Sequence, residues 1–143
     1  MEEIQQGSQK DSEFIKKKLI EYNMQQLPDE IKTPIEQLSF IIRNKVGVIV
    51  GGITATTFWS HVHIDFLWVD EKHRGKRYGS KLIKKMEEWA MRKGCRTILL
   101  DTFSFQAPEF YKKQGFTVIG IVEDHPRGYN QYFLEKKMEG NNI

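Results

Sequence analysis

A short segment of the chain combines basic residues with glycines, a combination that binds phosphate groups in proteins. Its members stand within six consecutive positions: Arg74, Gly75, Lys76, Arg77 and Gly79. An apolar run precedes the segment, and apolar residues at helical spacing follow it. The first backbone N–H groups of a helix lack intrahelical partners, and glycines let an anion approach such groups closely. Residues 74–80 therefore predict an anion site at the start of a helix.

Two well-known phosphate motifs do not fit this segment. The Walker pattern needs Gly-x-x-x-x-Gly-Lys before Ser or Thr, whereas the spacing from Gly75 to Gly79 is one residue shorter and Ser80 precedes Lys81. The dinucleotide fingerprint needs three glycines at fixed offsets, which the segment lacks. The residues alone are thus compatible with a phosphate loop or with a basic turn that only caps a helix.

A second segment, residues 106–116, places a tyrosine in a short predicted helix. Pro108 favours a helix start, and Gly115 favours its end. The phenol of Tyr111, with an ordinary pKa of about 10, could give a proton to a departing thiolate. Taken alone, the Phe-Tyr pair before Gly-Phe is more typical of core packing.

The strand predicted to precede the basic segment carries a histidine and an aspartate. In a regular strand one face holds His63, Asp65, Leu67 and Val69, and the other holds Val62, Ile64, Phe66 and Trp68. A histidine with an ordinary pKa near 6.5 suits a proton acceptor at neutral pH. The alternative is that His61 and His63 lie at a solvated strand end.

The first third of the chain predicts helices followed by a hairpin. Apolar residues recur at helical spacing after Asp11 or Ser12, either of which could be the N-cap, and Pro34 opens a second helical piece. Residues 38–43 and 46–58 predict a hairpin that turns at Asn44 and Lys45. The pair of glycines at positions 51 and 52 predicts a bulge or a close approach by another segment.

The basic segment lies within a predicted β-α-β unit. The unit consists of a strand over residues 61–69, a helix from Tyr78 or Gly79 to Lys93, and a strand over residues 97–103. A crossover helix joins parallel strands with right-handed connectivity. A short helix from Pro108 and two strands, residues 116–123 and 131–137, complete the predicted domain.

In this order, the two segments resemble those of the GNAT superfamily of N-acetyltransferases. Residues 74–79 are similar to the family loop Arg/Gln-x-x-Gly-x-Gly/Ala, which grips the pyrophosphate of acetyl-coenzyme A. Residues 106–116 are similar to the family's tyrosine-bearing short helix, closed by Gly-Phe or Gly-Tyr. Arg77 stands where the family usually has its first glycine, and we expect it to keep a helical backbone.

The resemblance covers nearly the whole chain and implies the GNAT fold. That fold belongs to the α/β (α+β) class: a mixed, mainly antiparallel twisted sheet with a central parallel β-α-β unit and helices on both faces. The implied activity is the transfer of an acetyl group from acetyl-coenzyme A to a primary amine, directly in a ternary complex and without a metal. Such a reaction needs a base for the amine, donors for the oxyanion and an acid for the thiolate.

The resemblance also implies roles for individual residues. Tyr111 would be the acid and would contact the cofactor, and His63 or Asp65 would drain the amine's proton, directly or through water. Gln106 would face the cofactor, and the backbone of Leu67 and Val69 would pair with the pantetheine arm. The implied pyrophosphate-binding set is Arg74, Gly75, Lys76, Arg77, Tyr78, Gly79 and Ser80.

Composition narrows the classes of function. A chain of 143 residues predicts a single domain over residues 1–143, in which residues 1–10 carry little pattern. The net charge of +3 is small for a nucleic-acid-binding protein, whose basic residues usually show a clustered excess. Cys95 is the only cysteine, so no intramolecular disulfide is expected. The chain shows neither a membrane-length apolar run nor a signal-peptide start, and we expect a cytoplasmic protein without a membrane partner.

Other functions remain compatible with the sequence. A non-catalytic acyl-coenzyme A sensor would need the phosphate loop but not His63, Asp65 or Tyr111. A basic surface that binds nucleic acid would show strongly salt-dependent affinity, and the near balance of charge disfavours it. The amine acceptor, whether a small molecule or a peptide, is not specified by the residues, and a homodimer stays open.

Overall fold

The computed structural model describes residues 2–138, which fall into two units. The first unit ends at Thr33 and contains helix α1 (Gln9–Gln26). The second unit begins at Pro34 and contains the sheet with its helices. The single domain expected over residues 1–143 stays a prediction, and residue 1 and residues 139–143 lie outside the described part.

Helix α1 begins earlier than the sequence pattern predicted, because its N-cap is Ser8. The backbone N–H of Asp11 donates to Ser8 Oγ at 3.2 Å, and the N–H of Ser8 donates to Asp11 Oδ2 at 2.8 Å. This reciprocal capping box places Asp11 inside the first turn and not before it. The second helix expected after Pro34 is wrong, since the chain enters its first strand at Glu36.

Six strands form one sheet in the order β1-β2-β3-β4-β6-β5. They are β1 (Glu36–Arg43), β2 (Ile49–Phe58), β3 (His61–Val69), β4 (Thr97–Phe103), β5 (Thr117–Val122) and β6 (Gln131–Lys137). Strands β3 and β4 run parallel, and the other neighbouring strands run antiparallel. The helices of this unit are α2 (Tyr78–Arg92) and α3 (Pro108–Lys113). The predicted mixed sheet with a central β-α-β unit is confirmed.

The glycine pair in β2 fulfils both expectations made for it. The β1–β2 register shifts so that Ile42 faces Gly51 and Arg43 faces Ile49, which leaves one extra residue in β2. A Cβ on Gly51 would lie 3.3 Å from the carbonyl oxygen of Trp68, and one on Gly52 would lie 3.2 Å from that of Phe40. The hairpin itself is confirmed, but it closes through residues 44–48 and not through a two-residue turn.

Strand β3 carries a second bulge, at Asp65. Its pairing with β2 joins Ala55 to Ile64 and Thr54 to Phe66, so Asp65 has no opposite partner. The β3 side chains that pack in the core are Val62 and Ile64 before the bulge and Leu67 and Val69 after it. The prediction that His63 shares a face with Leu67 and Val69 is therefore wrong, because an inserted residue reverses the alternation.

The core lies between the sheet and its helices. The buried side chains of α2 recur three or four residues apart, which forms the apolar stripe predicted for this helix: Leu82, Ile83, Met86 and Ala90. They pack in one cluster with residues of the strands, such as Ile53, Ile98 and Leu134, and with Tyr111 of α3. Burying each large aliphatic side chain contributes about 1.5–3 kcal/mol, so this cluster holds α2 and α3 against the sheet.

The two parallel strands pair over a short distance only. Their register joins His61 to Thr97, Val62 to Ile98 and His63 to Leu99. Beyond these pairs β3 continues along β2, and β4 continues along β6 to its end at Phe103. The sheet is consequently open between the C-terminal halves of β3 and β4, where the basic loop and α3 lie next in the chain.

Candidate active site

A cavity of about 820 Å³ occupies the opening between β3 and β4. Its walls are the bulged half of β3, the basic loop, the first turn of α2, the end of β4 and helix α3. All of these elements belong to the unit that begins at Pro34. The cavity therefore brings together the two sequence segments that predicted chemistry.

The basic loop makes a tight turn between β3 and α2 through two left-handed residues. Gly75 has a φ of 86°, and Arg77, the N-cap of α2, has φ 63° and ψ 23°. The expectation that Arg77 keeps a helical backbone is wrong, because the left-handed region suits glycine and strains a residue with a Cβ. The backbone thus adopts at Arg77 the conformation that a glycine takes without steric cost.

The start of α2 presents backbone N–H groups and positive charge to the cavity. The first intrahelical hydrogen bond runs from the N–H of Lys81 to the carbonyl of Arg77 at 3.0 Å, so three N–H groups precede it. These belong to Tyr78, Gly79 and Ser80, which all line the cavity, as do Arg74, Gly75 and Arg77. Within residues 2–138 no side chain caps this helix. This end of the cavity can therefore hold the phosphates of a ligand.

Two members of the predicted loop set differ in their placement. Lys76 is not among the lining residues, so its contact with a cofactor stays a prediction. Gly79 lies against helix α3, and a Cβ there would stand 3.1 Å from Cζ of Phe110. The glycine is thus required by packing as well as by the approach of an anion.

Tyr111 lines the cavity from α3 and is 8% exposed. Its ring makes edge contacts with Phe110 and Phe116, at centroid distances of 5.2 and 5.9 Å. Burial, and to a lesser degree the carboxylate of Asp101, raises the pKa of Tyr111 to about 12. The phenol is protonated at neutral pH, as it would be at its ordinary pKa of about 10, and has a proton to donate.

Two amide side chains that flank helix α3 bind neighbouring elements of the site. Gln114 Nε2 donates to Ser80 Oγ at 3.0 Å, which ties α3 to the first turn of α2. Gln106 lines the cavity, and its Oε1 accepts from the N–H of Phe103 at 2.7 Å and from Thr102 Oγ1 at 3.1 Å. Gln106 thus holds the end of β4, and its predicted contact with a cofactor stays a prediction.

His63 and Asp65 belong to a chain of polar side chains that crosses four strands. His63 Nδ1 lies 2.8 Å from Asp65 Oδ1, and Thr56 Oγ1 donates to Asp65 Oδ2 at 2.7 Å. The other ring nitrogen, Nε2, lies 3.9 Å from Asp101 Oδ1. Gln131 Nε2 donates to Asp101 Oδ2 at 2.9 Å. The bulged residue Asp65 is thereby held between a hydroxyl of β2 and an imidazole of its own strand.

Asp65 and Asp101 line the cavity, whereas His63 contacts both without being a lining residue. Sequence reasoning found His63 and Asp65 but missed Asp101, Thr56 and Gln131. Asp101 carried one readable signal, because it is the only carboxylate in the otherwise apolar stretch of β4. The other two had no such signal, since their part depends on the pairing of β2 with β3 and of β6 with β4.

Aromatic side chains form an exposed part of the cavity wall. Phe66, Trp68 and Phe105 all line the cavity, and Phe66 is 75% exposed. The bulge at Asp65 turns Phe66 and Trp68 away from the core. Phe105 stacks on Phe103 at 5.5 Å between ring centroids. The wall can thus contact the apolar part of a bound molecule.

Several other expectations bear on cofactors and location. Among the described residues no group of three His, Cys, Asp or Glu side chains is placed to hold a metal ion. Within residues 2–138 no helix has both the length and the apolar character needed to cross a membrane. Cys95 packs in the core, and burial raises the pKa of its thiol, as expected for a packed cysteine and not for a nucleophile.

Comparison with known proteins identifies the class. Residues 5–116 match the model of the Acetyltransferase (GNAT) family. The chain therefore belongs to the GNAT family of acetyltransferases, and the fold described above is that of this class.

Individual relatives agree with this assignment. The chain is 33% identical to blasticidin-S acetyltransferase of Streptomyces morookaense, over 73% of this chain and 78% of that protein. The crystal structure of an acetyltransferase from Bacillus cereus ATCC 14579 is 53% identical, with 95% of this chain and 97% of that chain covered and a TM-score of 0.92. A structure from Bacillus anthracis with bound acetyl coenzyme A shares the fold at 23% identity and a TM-score of 0.63, over 78% of this chain and 68% of that chain.

Proposed function

We propose that this chain is an N-acetyltransferase that moves the acetyl group of acetyl-coenzyme A to a primary amine in a ternary complex. The observation that carries the proposal is a cavity with two chemically different ends. The basic loop and the N-terminus of α2 form one end, and Asp65 and Asp101 lie near the point where β3 and β4 separate. Val69, the last residue of β3, is four positions after Asp65, which corresponds to about 13 Å in an extended strand.

In this proposal the cofactor lies along the cavity from the basic loop toward Tyr111. Its pyrophosphate binds the N–H groups of the first α2 turn together with Arg74 and Arg77. Its pantetheine arm pairs with the backbone of Leu67 and Val69, in the half of β3 that β4 does not contact. The arm therefore takes hydrogen bonds that a neighbouring strand would otherwise make.

The proposed chemistry forms one bond and breaks another. The neutral amine nitrogen attacks the thioester carbonyl carbon, the C–N bond forms and the C–S bond breaks. A phenol is protonated at neutral pH even at its ordinary pKa of about 10, and burial raises the pKa of Tyr111 further, to about 12. The departing thiolate takes the proton of this phenol. Proton donation of this kind contributes typically about 10²–10⁴-fold to rate.

The amine must first lose a proton, and the hydrogen bonds around His63 suggest where it goes. If Nδ1–H of His63 donates to Asp65 at 2.8 Å, the acceptor lone pair is on Nε2. Asp65, itself held by Thr56, then orients the ring as a carboxylate orients the histidine of a hydrolase triad. We assign His63 Nε2 as the base and Asp65 as the residue that positions it.

The acceptor is a small-molecule or peptide amine, and the cavity also offers the aromatic side chains of Phe66, Trp68 and Phe105 to its apolar part. Blasticidin S is the first compound to test, because the name of one relative specifies it. A cytoplasmic location belongs to the same proposal, since acetyl-coenzyme A must be available to the protein.

Calorimetric titration tests whether the basic loop, residues 74–80, binds acetyl-coenzyme A. We expect acetyl-coenzyme A to bind with micromolar affinity, about 8 kcal/mol, and more tightly than ATP. Arg74→Ala, which removes both the charge and the polar group at the Arg/Gln position of the loop, should weaken binding about tenfold or more, whereas Lys84→Gln, which removes an exposed charge farther along α2, should leave it unchanged. Equal binding of ATP, or no binding, would show that residues 74–80 are only a basic helix cap.

Release of coenzyme A thiol in the presence of amines tests the transfer. Blasticidin S, simple alkylamines and peptides with free amino groups are the acceptors to screen. Thiol release that depends on the amine supports the enzyme. Tight binding of acetyl-coenzyme A without thiol release in the presence of any of these amines would instead support the non-catalytic sensor.

A further inference from the structure

One carboxylate of the cavity lies beside the base of the proposed reaction. Asp101 Oδ1 lies 3.9 Å from Nε2 of His63, and Asp101 lines the same cavity as Tyr111. The charge of Asp101 also contributes to the raised pKa of Tyr111. The roles assigned above to Tyr111, His63 and Asp65 leave Asp101 without a function.

We propose that Asp101 binds the ammonium group of the acceptor beside Nε2 of His63 and is thus a further substrate-binding residue of this site. The inference rests on the proposed function. It specifies that the acceptor arrives as a cation, is held by the Asp101 carboxylate and is deprotonated where it is bound.

The distances allow one nitrogen atom to contact both groups. An amine nitrogen can stand about 2.8–3.0 Å from Oδ1 and also from Nε2, because those two atoms are 3.9 Å apart. The His63 and Asp101 side chains are 39% and 34% exposed, so solvent and small molecules reach them. A hydrogen bond from an ammonium to a carboxylate is charge-assisted, which makes it stronger than one between neutral groups.

The Asp101 carboxylate is held in place for this task. Gln131 donates to Oδ2, which leaves Oδ1 as the oxygen that faces His63. The flanking residues Leu100 and Thr102 are each 3% exposed, and Asp101 pairs with Phe133 of β6. The strand position of Asp101 is therefore set by the core, and replacement by asparagine removes charge with little change of shape.

The proton transfer balances without another reactant. One N–H of the ammonium stays bound to Asp101, and a second N–H bond breaks as Nε2–H forms. The freed lone pair attacks the thioester, and the thiolate takes the Tyr111 proton. The resulting imidazolium lies between the carboxylates of Asp65 and Asp101. Solvent then removes the imidazolium proton and reprotonates the phenolate.

Steady-state kinetics with two amines separate this role from a structural one. n-Butylamine is a cation at neutral pH, whereas aniline is largely neutral there. We expect Asp101→Asn to raise the KM for n-butylamine about tenfold, equal to about 1.4 kcal/mol, and to change the KM for aniline by less than about twofold. Glu88→Gln, which removes an exposed negative charge from α2, should change neither. An equal effect on both amines, or none, overturns the proposal.

A binding measurement makes the test independent of turnover. n-Butylammonium chloride is titrated into protein with ¹⁵N-labelled histidine, and the ring nitrogens of His63 are followed by NMR. We expect a saturable shift of the Nε2 signal in wild type and in Glu88→Gln, and its loss in Asp101→Asn. A His63 signal that does not respond in wild type overturns the inference. If the protein does not bind acetyl-coenzyme A, the proposed function is wrong. If it binds acetyl-coenzyme A but the His63 signal does not respond to n-butylammonium, only the role of Asp101 is wrong.

Discussion

At the scale of single residues, a substitution of Tyr111 tests whether its phenol gives a proton to the departing thiolate. Tyr111→Phe should lower kcat by about 10²–10⁴-fold, because the variant has no proton for the thiolate. The affinity for acetyl-coenzyme A should change little, since phenylalanine keeps the ring contacts with Phe110 and Phe116. Kinetics and calorimetry on the same preparation measure the two effects. An unchanged kcat would remove the acid role from Tyr111.

The pKa of Tyr111 also predicts how stability depends on pH. The folded pKa of about 12 exceeds the unfolded value of about 10. The stabilisation is therefore fully present below about pH 10 and is lost as the pH rises toward 12. Two pKa units correspond to about 2–3 kcal/mol. Urea unfolding at pH 9 and pH 11 should show a steeper loss for wild type than for Tyr111→Phe, and equal losses would contradict the assignment.

Substitutions of two threonines in β2 give a matched pair of variants that test the support of the proposed base, His63, through Asp65. Thr56→Val removes the hydroxyl that donates to Asp65, and a hydrogen bond to a charged group is worth about 1.5–3 kcal/mol. We expect kcat to fall about tenfold. The hydroxyl of Thr54 is buried without a hydrogen-bond partner among the described residues, so Thr54→Val should keep full activity and gain about 1 kcal/mol of stability. Equal activities of the two variants would show that Thr56 does not support Asp65.

At the scale of elements, the left-handed backbone of the basic loop makes a prediction. Arg77→Gly and Arg77→Ala both remove a charge from the cavity and should weaken the binding of acetyl-coenzyme A to a similar degree. Only glycine adopts φ 63° without strain, so the glycine variant should be more stable than the alanine variant by about 1 kcal/mol. Denaturant unfolding compares them. A more stable alanine variant would mean that the loop adopts another conformation in solution.

The elements that the sequence predicted correctly are those with a local signal. Helix α2 follows from its apolar spacing, and β3 and β4 follow from apolar runs that flank that helix. The start of α1 was placed too late because Asp11 suits an N-cap as well as the third position of a capping box. The bulge at Asp65 had no local signal, since it arises from the register between β2 and β3.

The residues of the site were predictable under the same condition, a local signal in the sequence. The basic loop and Tyr111 lie in motifs, whereas Asp101 and Thr56 become neighbours of His63 only when the sheet forms.

At the scale of the whole molecule, the cofactor should stabilise the fold by mass action. Acetyl-coenzyme A at 100 times its Kd should add about 2.7 kcal/mol to the free energy of unfolding. For a chain of 143 residues, this corresponds to an increase in Tm of several degrees. Differential scanning fluorimetry measures the shift, with ATP at equal concentration and the Arg74→Ala variant as controls. No shift at saturating acetyl-coenzyme A would contradict binding to the folded state.

The short register between β3 and β4 has a consequence for the protein's behaviour in solution. The sheet consists of two antiparallel leaves, β1-β2-β3 and β4-β6-β5, that meet along three residue pairs. Past those pairs each leaf has an edge, and edges of this kind are where strands of other molecules add and aggregation begins. Here the two edges face the open cavity between β3 and β4 and not the outer rim of the sheet. The protein can thus keep backbone groups available to a ligand in the middle of its sheet and not along an outer edge.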